Sequence, residues 1–156
     1  MDVDAEVAAE PARRRWMGIL AKAPPEELES AWAVLASPPR YRMLRRPEVG
    51  LVMVRGRMGG EGNPFNLGEV TVTRCSVCLE DGRVGHATVA GRSLRHAELA
   101  AVFDGLMQQS DRAAEWEAAL IAPLERAQMR RRDEAARKTA ATRVEFFTLV
   151  RSAGSP

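Results

Sequence analysis

The hydrophobic period of this chain changes twice. It is helical through residue 36, alternating or continuously apolar from residue 41 to residue 90, and helical again after Gly91. A helix repeats its buried stripe every three to four residues and a half-buried strand every two, so one segment cannot satisfy both patterns. The order of the blocks predicts an α+β fold: N-terminal helices, a central antiparallel meander of three to four strands, then C-terminal helices. At 156 residues the chain is read as one domain, 1–156, with flexible ends at residues 1–10 and 152–156.

In the first block, Trp16, Ile19, Leu20 and Ala23 recur at helical spacing and predict a helix over residues 5–23. Pro24-Pro25 breaks it. Proline suits the first turn of a helix, and Glu26, Glu27 and Glu29 favour its positive end, so residues 25–36 are expected to form a second helix. Leu28, Ala31, Trp32 and Leu35 fall on one face of it. The middle block opens with a short alternating strand over residues 41–46, which Pro47 is expected to interrupt. Leu51-Val52-Met53-Val54 centres a second strand over residues 50–58, followed by a loop at Gly59-Gly60-Glu61-Gly62-Asn63-Pro64. A Thr/Val-rich strand over residues 67–80, the turn pair Asp81-Gly82 and a returning strand over residues 83–90 complete the meander.

The last block places Leu99, Val102, Phe103 and Leu106 on one face of a helix over residues 94–109. Asp111 is the expected N-cap of the next helix, which carries Trp116, Leu120 and Leu124 at four-residue spacing and which Pro123 should kink or divide. Residues 124–142 read as a long basic helix with few large apolar residues, unable to bury much by itself. The tail turns apolar again at Val144-Glu145-Phe146-Phe147-Thr148-Leu149-Val150. Either this cluster docks on another subunit or it folds back on its own sheet. The arm 125–151 is expected to dock on a partner.

No run of about 18 apolar residues predicts a transmembrane helix. The acidic start Met1-Asp2-Val3-Asp4 lacks the basic and apolar regions of a secretory signal, so the expected location is cytoplasmic. A net charge of +2 argues weakly for nucleic acid. The cations are almost all arginine, with Lys22 and Lys138 the two exceptions. Arginine suits bidentate carboxylate and phosphate contacts, although a GC-rich genome gives the same bias.

Self-sufficient catalysis has little footing. Cys75 and Cys78 lie three apart in a strand pattern, so their thiols should point to opposite faces and neither chelate nor pair. His86 sits in a strand and His96 at a helix start, each without an obvious partner. The glycine loop lacks the Gly-Lys-Ser/Thr of a P-loop. Arg74 stands inside a strand expected to be well covered, where a guanidinium needs an anion; Glu69 is a candidate. No metal site is expected.

Pro47 through Arg57, followed by Pro64-Phe65-Asn66-Leu67-Gly68-Glu69-Val70-Thr71-Val72-Thr73-Arg74-Cys75, resembles the signature of the PhnG family. Further pieces agree: Arg13-Arg14-Arg15-Trp16-Met17, Gly82-Arg83-Val84-Gly85-His86-Ala87 with Gly91-Arg92, Arg95-His96-Ala97-Glu98-Leu99-Ala100-Ala101, and the apolar tail. The resemblance spans residues 13–151. It implies an accessory subunit in phosphonate catabolism through the carbon–phosphorus lyase pathway, working with PhnI, PhnH, PhnJ and PhnL. The complex would replace the adenine of ATP by methylphosphonate, giving α-D-ribose 1-methylphosphonate 5-triphosphate. The resemblance implies no cofactor on this chain, since S-adenosylmethionine and an iron–sulfur cluster serve the lyase subunit PhnJ. Trp16, Trp32, Trp116, Phe146, Phe147 and Leu149 are then the candidate partner-binding residues, and an isolated chain could pair with itself as a homodimer through the same surfaces. Arg74 and His86, on the most motif-rich strands, are the candidates for an active site shared with PhnI; a basic nucleic-acid-binding or regulatory module is a further alternative.

Overall fold

The computed structural model describes residues 3–35, 37–58 and 61–141. The element order is α1 (Val3–Leu20), α2 (Pro25–Ala33), β1 (Tyr41–Arg57), β2 (Pro64–Leu79), β3 (Val84–Ala90), α3 (Leu94–Met107), α4 (Ala113–Trp116), a π-helical segment (Glu117–Ile121) and α5 (Ala122–Ala141). This is the expected α+β arrangement, with a three-stranded antiparallel sheet in the order β1-β2-β3. Residues 142–156, and with them Phe146, Phe147, Leu149 and the apolar tail, lie outside the described residues, as do Met1 and Asp2.

Pro47 does not divide the first strand. β1 runs through it as one strand and absorbs it with register shifts between Met43 and Arg45 and between Arg45 and Glu48. Proline has no N–H to give to a ladder, and an edge strand with bulges is where that loss is tolerated. Asp111 does not cap α4 either: the N-cap position is Arg112, without a side-chain cap hydrogen bond. Pro123 is expected to kink or divide the helix; the backbone instead stays helical through Ala122 and changes from π- to α-helical bonding there. The proline lies in the first turn of α5, directly after the π-helical segment, whose widened turn removes the need for the N–H that proline lacks.

The face of the sheet toward α3 is the better buried; on the other face of β2 only Val72 and Cys78 are buried among the described residues. Thr73, Cys75, Val77 and Leu79 of β2 and Ala87 and Val89 of β3 point to α3 and are buried, as the two-residue pleat requires. α3 lies so close to β3 that a Cβ on Gly85 would stand 1.9 Å from the Ala101 carbonyl oxygen. Phe103, fully buried on α3, packs edge-on against Trp32 of α2 (6.5 Å) and Trp116 of α4 (6.3 Å), joining both helical flanks to the centre. Trp116, Leu120 and Leu124 are buried in the order their spacing predicts. From Met129 onward α5 is exposed. Among the described residues, no helix is long and apolar enough to cross a membrane.

Candidate functional site

The face of the sheet away from α3 carries Arg74, Ser76, His86 and Thr88. Arg74 is opposite Thr88, and Ser76 is opposite His86, so Arg74 and His86 are diagonal neighbours on one surface. Ser76 Oγ and His86 Nδ1 are 2.9 Å apart. Arg74 has no ion-pair partner among the described residues, and its Nε is buried without a hydrogen bond. Glu69, the expected partner, is not one: it is five residues away along β2, an odd number, and therefore points to the opposite face. Glu48 is directly across from Arg74 but pairs with Arg45 at 3.4 Å. The guanidinium instead lies over Gly50, where a Cβ would meet Arg74 Nη2 at 3.0 Å. This face offers an anion a guanidinium and an imidazole, on a surface rather than in a cleft.

Behind β3 is a group that sequence reasoning missed. Asp104 of α3 is fully buried. Its carboxylate accepts hydrogen bonds from Arg13 Nε (3.2 Å) and Nη2 (2.7 Å), from Trp16 Nε1 (2.9 Å) and from the backbone N–H of His86 (2.9 Å). Arg13 Nη2 also donates to the Val84 carbonyl at 3.2 Å. One carboxylate thus ties α1, β3 and α3 together and holds the strand that presents His86. The signal available in the sequence was an aspartate within the apolar run Ala100-Ala101-Val102-Phe103-Asp104-Gly105-Leu106, where an unpaired charge could not survive.

The remaining candidates sit as follows. Trp16, half-buried, spends its N–H on Asp104. Trp32 is half-buried between Tyr41 (6.2 Å between rings) and Phe103, with the Arg95 guanidinium 5.7 Å from its ring centre. Trp116 is 7% exposed, so little of it remains for a partner to meet. His96 is buried, and its Nε2 donates to the Leu20 carbonyl at 2.9 Å, which occupies it as a link between α3 and the end of α1. Cys75 and Cys78 are free and buried on opposite faces of β2. Burial, assisted by the nearby Glu98 carboxylate, pushes the Cys75 thiol up to about 11. No cluster of three His, Cys, Asp or Glu able to hold a metal occurs among the described residues.

The described residues bring one hydroxyl to an imidazole, Ser76 to His86, without a carboxylate hydrogen-bonded to that imidazole, and they set no pair of opposed carboxylates in a pocket. Two comparisons give this arrangement a context. The family model described as "Phosphonate metabolism protein PhnG" matches residues 11–152. A protein of Rhizobium meliloti (strain 1021), the "Alpha-D-ribose 1-methylphosphonate 5-triphosphate synthase subunit PhnG", is 47% identical over 142 residues, covering 89% of this chain and 88% of the relative.

Proposed function

This chain belongs to the PhnG family, and we propose from that premise that it is an accessory subunit of an α-D-ribose 1-methylphosphonate 5-triphosphate synthase in phosphonate catabolism. The observation that carries the proposal is the near full-length identity to a subunit so named, with coverage close to nine-tenths on both sides. The scarcity of catalytic groupings among the described residues supports an accessory role. On this reading the chain acts in the cytoplasm with PhnI-, PhnH-, PhnJ- and PhnL-type subunits. ATP and an alkylphosphonate are substrates of the assembly, the reaction is a transfer to the ribose carbon that releases adenine, and the chain alone is inactive and binds no cofactor of its own. The test is adenine release from ATP and methylphosphonate by the other three synthase subunits, PhnI, PhnH and PhnL, with and without this chain. Release that depends on the chain supports the proposal. Equal release without it, or release by the chain alone, refutes it.

A second reading is favoured by one observation, the Arg74 guanidinium left without an anion beside the Ser76–His86 pair. On this reading Arg74 and His86 face the triphosphate or the phosphonate in a site shared with PhnI. Arg74→Ala should then abolish turnover while the complex stays assembled. Unchanged turnover, or a complex that falls apart, would count against it.

A further inference from the structure

The hairpin of β1 and β2 outruns the rest of the fold. β3 ends at Ala90, opposite Val72, whereas β1 and β2 stay paired out to Arg57 and Pro64. The seven residues from Leu51 to Arg57 project about 24 Å beyond the third strand. This two-stranded ribbon, residues 51–57 and 64–71, holds large apolar side chains in solvent: Leu51, Met53, Phe65, Leu67 and Val70 are 43% to 65% exposed, beside the exposed Arg55, Arg57 and Glu69. A lone hairpin is marginal in water, and an exposed apolar strand edge invites association. The ribbon therefore has a design suited to being covered.

Charge indicates what covers it. Arg42, Arg46, Arg55 and Arg57 along β1 make no ion pair among the described residues; Arg57 reaches only the Gly62 carbonyl. A second copy is a poor occupant. It would bring the same unpaired arginines to the interface, and in the register centred on Leu51, for example, it would set Arg57 of one copy against Arg45 of the other, where like charges across a ladder are destabilising. We propose that the ribbon is a docking arm for a different protein subunit, one presenting an apolar strip rimmed by carboxylates. This rests on the reading of the chain as a synthase subunit and locates the surface that joins the assembly.

The test coexpresses the full chain with the other synthase subunits and recovers the complex through a tag on PhnI. Leu51→Asp/Met53→Asp should lower recovery of the chain by at least about tenfold, while Met129→Asp, equally exposed on α5, should be recovered like the wild type. Both substitutions remove exposed side chains, so circular dichroism of the isolated variants should match the wild type. If the ribbon variant fails to fold, amide exchange of the wild type decides the matter: residues 51–57 and 64–71 should exchange more slowly in the complex than in the isolated chain. Normal recovery of a folded ribbon variant, or unprotected ribbon amides in the complex, overturns the docking arm and leaves the subunit reading standing. An isolated chain that is dimeric until Leu51→Asp/Met53→Asp makes it monomeric also overturns it, in favour of a second copy. Failure of the wild-type chain to be recovered with any subunit sinks both readings together.

Discussion

Replacing Asp104 by alanine should be among the most damaging single changes in this protein. The carboxylate is fully buried and receives four hydrogen bonds, three of them from side chains on α1. Its removal strands the Arg13 guanidinium, the Trp16 indole N–H and the His86 backbone N–H. Breaking a buried ion pair from one side costs about 3–5 kcal/mol, and each orphaned buried donor about 1–3 kcal/mol. Two features lower the sum: the Arg13 side chain is 34% exposed and can turn to water, and Arg13 keeps its bond to the Val84 carbonyl. The net expectation is a loss of about 4 kcal/mol, a large part of the roughly 5–15 kcal/mol that holds a domain folded. At about 2–4 °C per kcal/mol for a chain of this size, the melting midpoint should fall by about 8–16 °C. The control is Arg15→Ala. Arg15 meets Glu117 and Glu125 in a more elaborate-looking pair of bridges, but all three side chains are more than one-third exposed, and such pairs contribute under about 1 kcal/mol. Urea unfolding of both variants decides the issue. A loss below about 1 kcal/mol for Asp104→Ala, or an equal loss for Arg15→Ala, would refute the argument that burial, rather than the number of contacts, sets the energy.

The same close packing has further consequences. Gly85→Ala should cost more than about 3 kcal/mol, because its Cβ would stand 1.9 Å from the Ala101 carbonyl oxygen and 2.7 Å from the Gly105 nitrogen, both backbone atoms that cannot swing away; a thermal melt within a few degrees of wild type would contradict this. Cys75 should resist iodoacetamide at pH 8 in the folded chain and react on addition of urea, since its thiol is raised from 9.0 to about 11 by burial. A group whose pKa rises on folding holds its proton more tightly when folded, so its contribution is complete below pH 9.0 and fades as the pH climbs through about 11. Tyr41, raised from 10.0 to about 12 by burial and by its hydrogen bond to Glu98, adds to the same alkaline decline. Stability that is flat from pH 8 to pH 12 would be inconsistent with both.

Local patterns were readable in the sequence, and long-range partnerships were not. Trp116, Leu120 and Leu124 announced a buried helical face, and Asp81-Gly82 announced the β2–β3 turn, because each depends on neighbours a few residues away. Pro47 misled because proline usually ends a strand, and only the position of β1 at the sheet edge makes it tolerable. Glu69 seemed a fit for Arg74 by proximity along the chain, but the pleat sends the two to opposite faces. The Asp104 node joins residues 91 and 88 positions apart, a separation at which no spacing rule operates. The overhang of the β1–β2 hairpin beyond β3 needed the register, which shows where the third strand stops.

The placement of the aromatic rings also determines what light can report. Trp16, Trp32 and Trp116 all lie in the helical layer, and Tyr41 stands at the root of β1 beside Trp32. Residues 51–57 and 64–71 contain neither tryptophan nor tyrosine. Emission from this chain will therefore follow the opening of its helix–sheet core, including the release of the Trp16 indole from Asp104, while an event confined to the tip of the hairpin passes unseen. A tryptophan installed at Phe65 would give that tip an optical signal of its own.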